Sequence, residues 1–320
     1  IIWFSFYLSK YTSKVRIKAL PTSLAIEPTT SCNLRCPECP SGLRSFTRPT
    51  GMLAVQTFQK LINELAPTLT YLTLYFQGEP YLHPQFFDLI EVASQKKIYT
   101  ATSTNAHYLS EENALKTVQS GLDRIIISID GTTQKTYEQY RVGGDLQKVL
   151  EGTRNLMKAK KRLKSKTPYV VFQFLVVKPN EHQLDEMVAL AKEVGVDDLA
   201  FKTAQVYDYE NGNELIPTKE EYARYRKNKS GKYELKRTAP LKSCWRMWHS
   251  AVMTWDGVVV PCCFDKDGEH AMGNVNKQSF KSIWFGIAYH KFRATLLDSR
   301  KNISMCENCT EAVSYTHLTL

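Results

Sequence analysis

The sequence predicts an α/β chain: a partial (β/α)6 barrel followed by a small cysteine-rich C-terminal domain. Three observations lead there. Between Thr22 and Thr203, short apolar runs alternate about six times with helix-period segments, the pattern of parallel βα units. Three cysteines crowd one loop after the first apolar run, and the other five lie beyond residue 243. Polar clusters recur at the carboxyl ends of the predicted strands, where such folds bind ligands. Six units fall short of the eight in a closed barrel, so an open or partial barrel is expected.

The elements follow in order. Strand Ser23–Glu27 leads into the cysteine loop. Val55–Leu65 carries apolar residues at 55, 58, 61, 62 and 65, the spacing of one buried helical face. Tyr71–Phe76 and Phe86–Ser94 form the next strand and helix. Ile98–Ser103 and Ser110–Gln119 form the third pair, with Ser110 in the N-cap region. Arg124–Ile129 and Val170–Val177 are largely apolar, as strands covered on both faces are, and helix Leu146–Lys160 lies between them. Helix Gln183–Val194 and strand Leu199–Thr203 end the series. Residues 205–243 lose periodicity and read as a linker. Ser250–Thr254 and Val258–Val260 then flank the turn Asp256-Gly257. The expected division is an N-terminal extension at 1–20, the barrel at 21–204, the linker, the second domain at 244–311 and a tail at 312–320. Val313–Leu320 resembles translated sequencing-adapter read-through, so the tail is expected to be non-native.

Composition narrows the class. The 320 residues are 43% hydrophobic and 11% aromatic, which is enough for a real core and excludes wholesale disorder. Eight cysteines are too few for a disulfide-built mini-scaffold of this length. The apolar start, Ile1 to Leu8, precedes its lysines and is too short to span a bilayer or to read as a signal peptide. A cytoplasmic protein is expected, with cysteines serving as metal ligands. The net charge of +10 permits an anionic partner without naming one.

Cys32, Cys36 and Cys39 form C-x3-C-x2-C within eight residues. Three thiolates on one loop can hold three irons of a four-iron cluster and leave the fourth open. Packing alone, or half a zinc site, are the other readings of the triplet. The motif resembles the signature of the radical S-adenosylmethionine (SAM) enzymes. Gln77-Gly78-Glu79-Pro80 is similar to that family's GGEP segment, with Gln where Gly is usual. Thr104-Asn105, Ser128-Ile129-Asp130-Gly131 and Tyr140-Arg141 resemble its later strand-end motifs. Glu38 stands where many members have an aromatic. The resemblance implies that Cys32, Cys36 and Cys39 ligate a [4Fe–4S] cluster. It also implies that Gln77, Gly78, Glu79, Thr104, Asn105, Ser128, Asp130 and Arg141 bind S-adenosylmethionine.

Cys306-x2-Cys309 is a bidentate metal knuckle. Gly257 lies 13 residues after Cys244 and five before Cys262, so a hairpin there would bring those two thiols together. From spacing, zinc and an iron–sulfur cluster both remain possible for Cys244, Cys262, Cys306 and Cys309. The run Cys244-Trp245, Asp256-Gly257, Pro261-Cys262-Cys263, Gly273-Asn274, Ile283-Trp284 and Arg293 resembles the SPASM/twitch group. That resemblance implies one auxiliary [4Fe–4S] cluster on the four thiols. A longer SPASM domain would place its next cysteine at 315, inside the suspect tail. Cys263 is surplus.

The resemblance implies reductive cleavage of S-adenosylmethionine to a 5′-deoxyadenosyl radical, hydrogen abstraction from substrate and electron transfer to the auxiliary cluster. The expected reaction is oxidation or crosslinking of a peptide or small molecule, served by an external donor such as flavodoxin or ferredoxin. Gln173 and Lys202 are the catalytic candidates, and Tyr75 and Trp245 are further substrate-facing candidates. The alternatives are an RNA-modifying member of the same family and a non-enzymatic zinc-binding protein. The basic runs 158–166 and 224–237 raise the RNA reading. The first sits at a helix end, where cations complement the dipole, so nucleic acid is not the expected partner.

Overall fold

The computed structural model describes residues 1–237 and 241–310. Among them a nine-stranded sheet forms the spine. β1 (Ser23–Ile26), β2 (Tyr71–Thr73), β3 (Tyr99–Thr104), β4 (Arg124–Ser128), β5 (Tyr169–Val176) and β6 (Asp198–Thr203) pair in parallel and in sequence order. The helices α3 (Val55–Leu65), α4 (Phe86–Gln95), α5 (Glu111–Gln119), α6 (Gln134–Tyr140), α7 (Leu146–Arg162) and α8 (Leu184–Val194) supply the crossovers, and α2 (Pro40–Leu43) is one turn behind the cysteine loop. One face of the strands is buried and largely apolar: Leu24, Ile26, Leu72, Leu74, Ile125, Ile127, Phe172 and Phe174 are all 0% exposed, with Thr100 and Thr102 of β3 in register among them. Phe58, Leu61, Ile62 and Leu65 of α3 are buried with that face in one core, each worth roughly 1.5–3 kcal/mol of burial.

The C-terminal segment extends the same sheet. β9 (Ser250–Met253) pairs in parallel with β1, and β10 (Val258–Val260) and β11 (Gly273–Asn274) follow antiparallel. Gly257 makes the turn between β9 and β10 at φ 82°, a conformation glycine adopts without a Cβ penalty. α9 (Arg246–His249), α10 (Phe280–Trp284) and α11 (Ile287–Asp298) complete this part. Arg293 anchors it: Nε and Nη1 each donate at 2.9 Å, to Met247 O and Trp284 O, and the guanidinium lies 4.3 Å from the Trp284 ring.

Three features depart from the sequence reading. Residues 1–20 contain α1 (Ile2–Thr12), whose Phe6 packs edge-on against Trp245 and Trp248. The linker contains a two-stranded hairpin, β7 (Tyr225–Lys227) and β8 (Tyr233–Leu235), whose short polar strands carry little periodic signal. β2 stops at Thr73, short of Phe76, because the chain must turn so that Gly78 (φ 75°) can meet the backbone at Thr29. The tail at 312–320 lies outside the described residues.

Candidate active site

The cysteine loop leaves β1 and is fastened to the segments that follow β2, β3 and α6. Gly78 N donates to Ser41 Oγ at 2.9 Å, and Glu79 N donates to Ser31 O at 2.7 Å. A Cβ on Gly78 would come within 2.2 Å of Thr29 O, so only glycine allows this approach. Asn105 Nδ2 donates to Asn33 Oδ1 at 2.8 Å, and Arg35 N donates to Val142 O at 2.9 Å. The segments after β2, β3 and α6 thus all hold the loop.

Several site residues act by holding others. Glu79 is 2% exposed. Its carboxylate accepts from Thr104 Oγ1 at 2.7 Å, Asn105 N at 2.8 Å and Tyr81 N at 3.2 Å. Burial pushes its carboxyl up to about 6, against those hydrogen bonds. Asp130 is fully buried; it accepts from Arg141 Nε at 2.5 Å and from Leu175 N at 2.7 Å. So held, Arg141 points Nη1 at Cys36 Sγ, 3.8 Å away. The Gln77 Oε1 lies 3.8 Å from Cys39 Sγ, and Ser128 Oγ lies 3.4 Å from Ser103 Oγ.

The thiol environment fits a cationic cluster. Leu34 N donates to Cys32 Sγ at 3.5 Å, and the Arg141 contact adds a positive charge beside Cys36. Burial pushes the Cys32 thiol up to about 12 and raises Cys36, where Arg141 opposes it. Ionising such thiols is what a bound cation supplies, and ligation releases their protons. Among the described residues no three His, Cys, Asp or Glu converge on a single ion. A four-iron cluster asks for less convergence, because each thiolate meets its own iron.

A second cavity is lined by Cys244, Cys262, Cys306 and Cys309, with Arg246, Met247, Phe264, Phe292, Leu296, Arg300 and Met305 around them. Cys263 is not among the lining residues; Tyr75, pushed up to about 12 mainly by burial, also feels Tyr71 and Cys263. The two cysteine sites are linked through the linker. Asn308 Nδ2, inside the knuckle, donates to Val206 O at 2.8 Å, and Tyr225 Oη donates to Asn308 Oδ1 at 3.0 Å. The next residue, Tyr207, donates its N–H to Glu38 Oε2 in the cysteine loop at 3.0 Å.

The remaining candidates separate. Gln173 is half-buried and pairs in register with Ser128, at the barrel mouth. Lys202 is exposed on the edge strand. Trp245 packs against Phe6 and His249 at ring-centroid distances of 5.2 and 5.0 Å. Sequence reasoning missed Asn33, Ser41, His107 and Asn308. His107 accepts from Asp145 N through Nε2 at 2.8 Å while Nδ1 lies 2.9 Å from Asn105 O. A polar residue within three positions of each motif was the only sequence signal for them.

Comparison with known proteins now adds to this geometry. The Radical SAM superfamily matches residues 26–191, and the SPASM iron–sulfur cluster-binding domain matches residues 244–310. The chain is 26% identical over 302 residues to the tungsten-containing aldehyde ferredoxin oxidoreductase cofactor-modifying protein of Pyrococcus furiosus, covering 84% of this chain and 82% of that protein. It is 29% identical over 205 residues to the PqqA peptide cyclase of Gluconobacter oxydans, covering 63% of this chain and 55% of that one. The chain thus spans only about half of the cyclase. Among solved structures, SuiB of Streptococcus suis bound to S-adenosylmethionine superposes with a TM-score of 0.67 at 14% identity, covering 92% of this chain and 73% of SuiB. BtrN in complex with AdoMet and 2-DOIA gives 0.57 at 18% identity, covering 92% and 94%. At those identities the structures show the fold alone. The chain belongs to the radical SAM superfamily, with its S-adenosylmethionine-binding [4Fe–4S] cluster and an auxiliary iron–sulfur domain of the SPASM type.

Proposed function

We propose that this enzyme oxidises or crosslinks a peptide, with Cys32, Cys36 and Cys39 holding the radical-generating cluster and Cys244, Cys262, Cys306 and Cys309 holding the auxiliary one. When bound, S-adenosylmethionine and the two clusters supply a 5′-deoxyadenosyl radical and a sink for the electron left on the substrate. The chain's residues position that chemistry. Gly78 and the Gln77 and Glu79 backbone form the turn against the cysteine loop. Glu79 and Asp130 hold Thr104-Asn105 and Arg141 in place, and Ser128 and Gln173 face the barrel mouth.

The observation that carries this reading is the fastening of one cysteine loop to the segments after β2, β3 and α6 by Ser41, Ser31, Asn33 and Arg35. Preorganised strand-end loops are how such barrels fix reactive groups. Support for a peptide substrate comes from the relatives, which include a peptide cyclase and a structure of SuiB bound to precursor peptide SuiA. The basic runs are partly paired within the chain: buried Lys160 with Asp197 at 2.5 Å, and Arg226 with Glu234 at 2.9 Å on the surface. An external electron donor and a reducing, cytoplasmic setting belong to the same proposal, since buried free thiols must stay reduced to bind iron.

The test is anaerobic reconstitution followed by assay for 5′-deoxyadenosine with dithionite, then mass analysis of candidate peptides for loss of hydrogen. Replacing Cys306 and Cys309 together by Ala is expected to leave 5′-deoxyadenosine formation within about tenfold and to abolish product. Normal product from a variant without auxiliary iron would overturn the electron-sink role.

A further inference from the structure

The auxiliary cavity is lined by two charged side chains that thiolate ligation does not itself require, Arg246 and Arg300, of which Arg300 is the more deeply buried. Arg300 lines it together with the four cysteines and is 5% exposed. A short 3-10 turn, Arg300–Asn302, sets it there: Ser299 Oγ accepts from Lys301 N at 3.3 Å, and Arg300 N donates to Leu241 O at 2.8 Å. The guanidinium therefore lies in the field of the Cys244, Cys309 and Cys306 thiols. Among the described residues it forms no ion pair with a carboxylate. Its Nη1 is buried without a hydrogen-bond partner. A buried cation is ordinarily paired. Here the charge complement is the set of thiolates, and the spare N–H is left at the cavity.

We propose that Arg300 is the counter-charge of the auxiliary iron–sulfur site and raises its reduction potential. Four thiolates outweigh the charge of a [4Fe–4S] core, and reduction adds one more negative charge. A guanidinium buried in the same cavity stabilises the reduced form more than the oxidised form, so the potential rises. The residue would thereby favour uptake of an electron at this site, and in that respect the inference rests on the function proposed above.

The experiment isolates the auxiliary site by replacing Cys32, Cys36 and Cys39 with Ala. In that background, Arg300→Gln and Arg300→Lys are reconstituted with iron and sulfide, and the potential is measured by EPR-monitored titration. Arg300→Gln is expected to keep its iron while its potential moves negative, and Arg300→Lys to stay near the parent. An unmoved potential in Arg300→Gln with iron intact would overturn the proposal. An equal shift in both variants would also overturn it, since charge would not be the cause. Where Arg300→Gln loses iron, retention by Arg300→Lys at a near-parental potential supports the role, and loss from both makes Arg300 a packing residue. Failure of the oxidation reading looks different: the wild-type enzyme would then form product with its auxiliary cysteines replaced, whatever potential Arg300 sets.

Discussion

The two cysteine sites are assembled by opposite routes. The first takes three thiols from one loop, Cys32 to Cys39, and remote strand ends come to support it. The second gathers thiols from positions 244, 262, 306 and 309, so distant segments must be folded before the site exists. Ordering separate segments costs more chain entropy than ordering one loop. The difference teaches that damage at the loop site should remove chemistry and leave the fold. Damage at the auxiliary site should remove iron and stability together.

The largest effect is expected at the loop. Cys36→Ala should cut 5′-deoxyadenosine formation at least about a thousandfold, because Cys36 is a proposed cluster ligand as well as the thiol nearest Arg141. Its thermal unfolding should change little. Assay of the nucleoside beside calorimetry checks both halves, and a large drop in Tm would break the comparison. Next comes Asn308→Ala. It removes the bonds to Val206 O and from the Tyr225 hydroxyl, which keep each other as partners, a loss of about 0.5–1.5 kcal/mol for each bond. Auxiliary iron should fall with it, while 5′-deoxyadenosine formation persists.

The contrast also explains what the sequence made legible. The loop site was readable because its three thiols are close in sequence and its supporting motifs each follow an apolar run. The alternation that revealed β1 to β6 reflects burial on a helix-covered face, visible in Leu72, Ile125 and Phe172 at 0% exposure. The auxiliary cysteines were readable by spacing, through Gly257 and the Cys306–Cys309 pair. Asn308 was not, because Val206 and Tyr225 lie far away along the chain, and Arg300 was not, because only the fold brings its side chain to the four-cysteine cavity. Strand β9 read as part of a separate small domain, yet its pairing with β1 is a long-range contact that periodicity does not encode. Helix α6 was missed because its polar sequence hides the Thr133 cap, whose side chain accepts from Thr136 N at 3.4 Å.

A smaller, pH-dependent effect belongs to the auxiliary half. His249 sits against the Trp245 ring, and burial, then the Arg246 charge, lowers its pKa from 6.5 to about 4. The folded state therefore favours neutral imidazole, and the unfolded chain binds the extra proton. This contribution to stability is whole above about pH 6.5 and is lost as pH falls toward about 4, up to about 3 kcal/mol in all. His249→Gln should flatten the stability profile across that window in urea melts. An unchanged slope would show that His249 titrates normally.

The smallest effect is expected at Cys263, and it tests the auxiliary ligand set most closely. Cys262 lines the four-cysteine cavity and Cys263 does not. The vicinal thiols interact, since a hydrogen bond that Cys262 donates to Cys263 is the first cause holding the Cys262 thiol well above its usual range. Serine keeps a hydroxyl where that bond forms and changes little volume. Cys263→Ser should therefore retain its auxiliary iron and lie within about 0.5 kcal/mol of the parent, whereas Cys262→Ser should lose the iron. Iron and sulfide analysis of the two variants decides it. Loss from Cys263→Ser with retention in Cys262→Ser would exchange their roles and move the fourth ligand to the side of the hairpin that faces Tyr75.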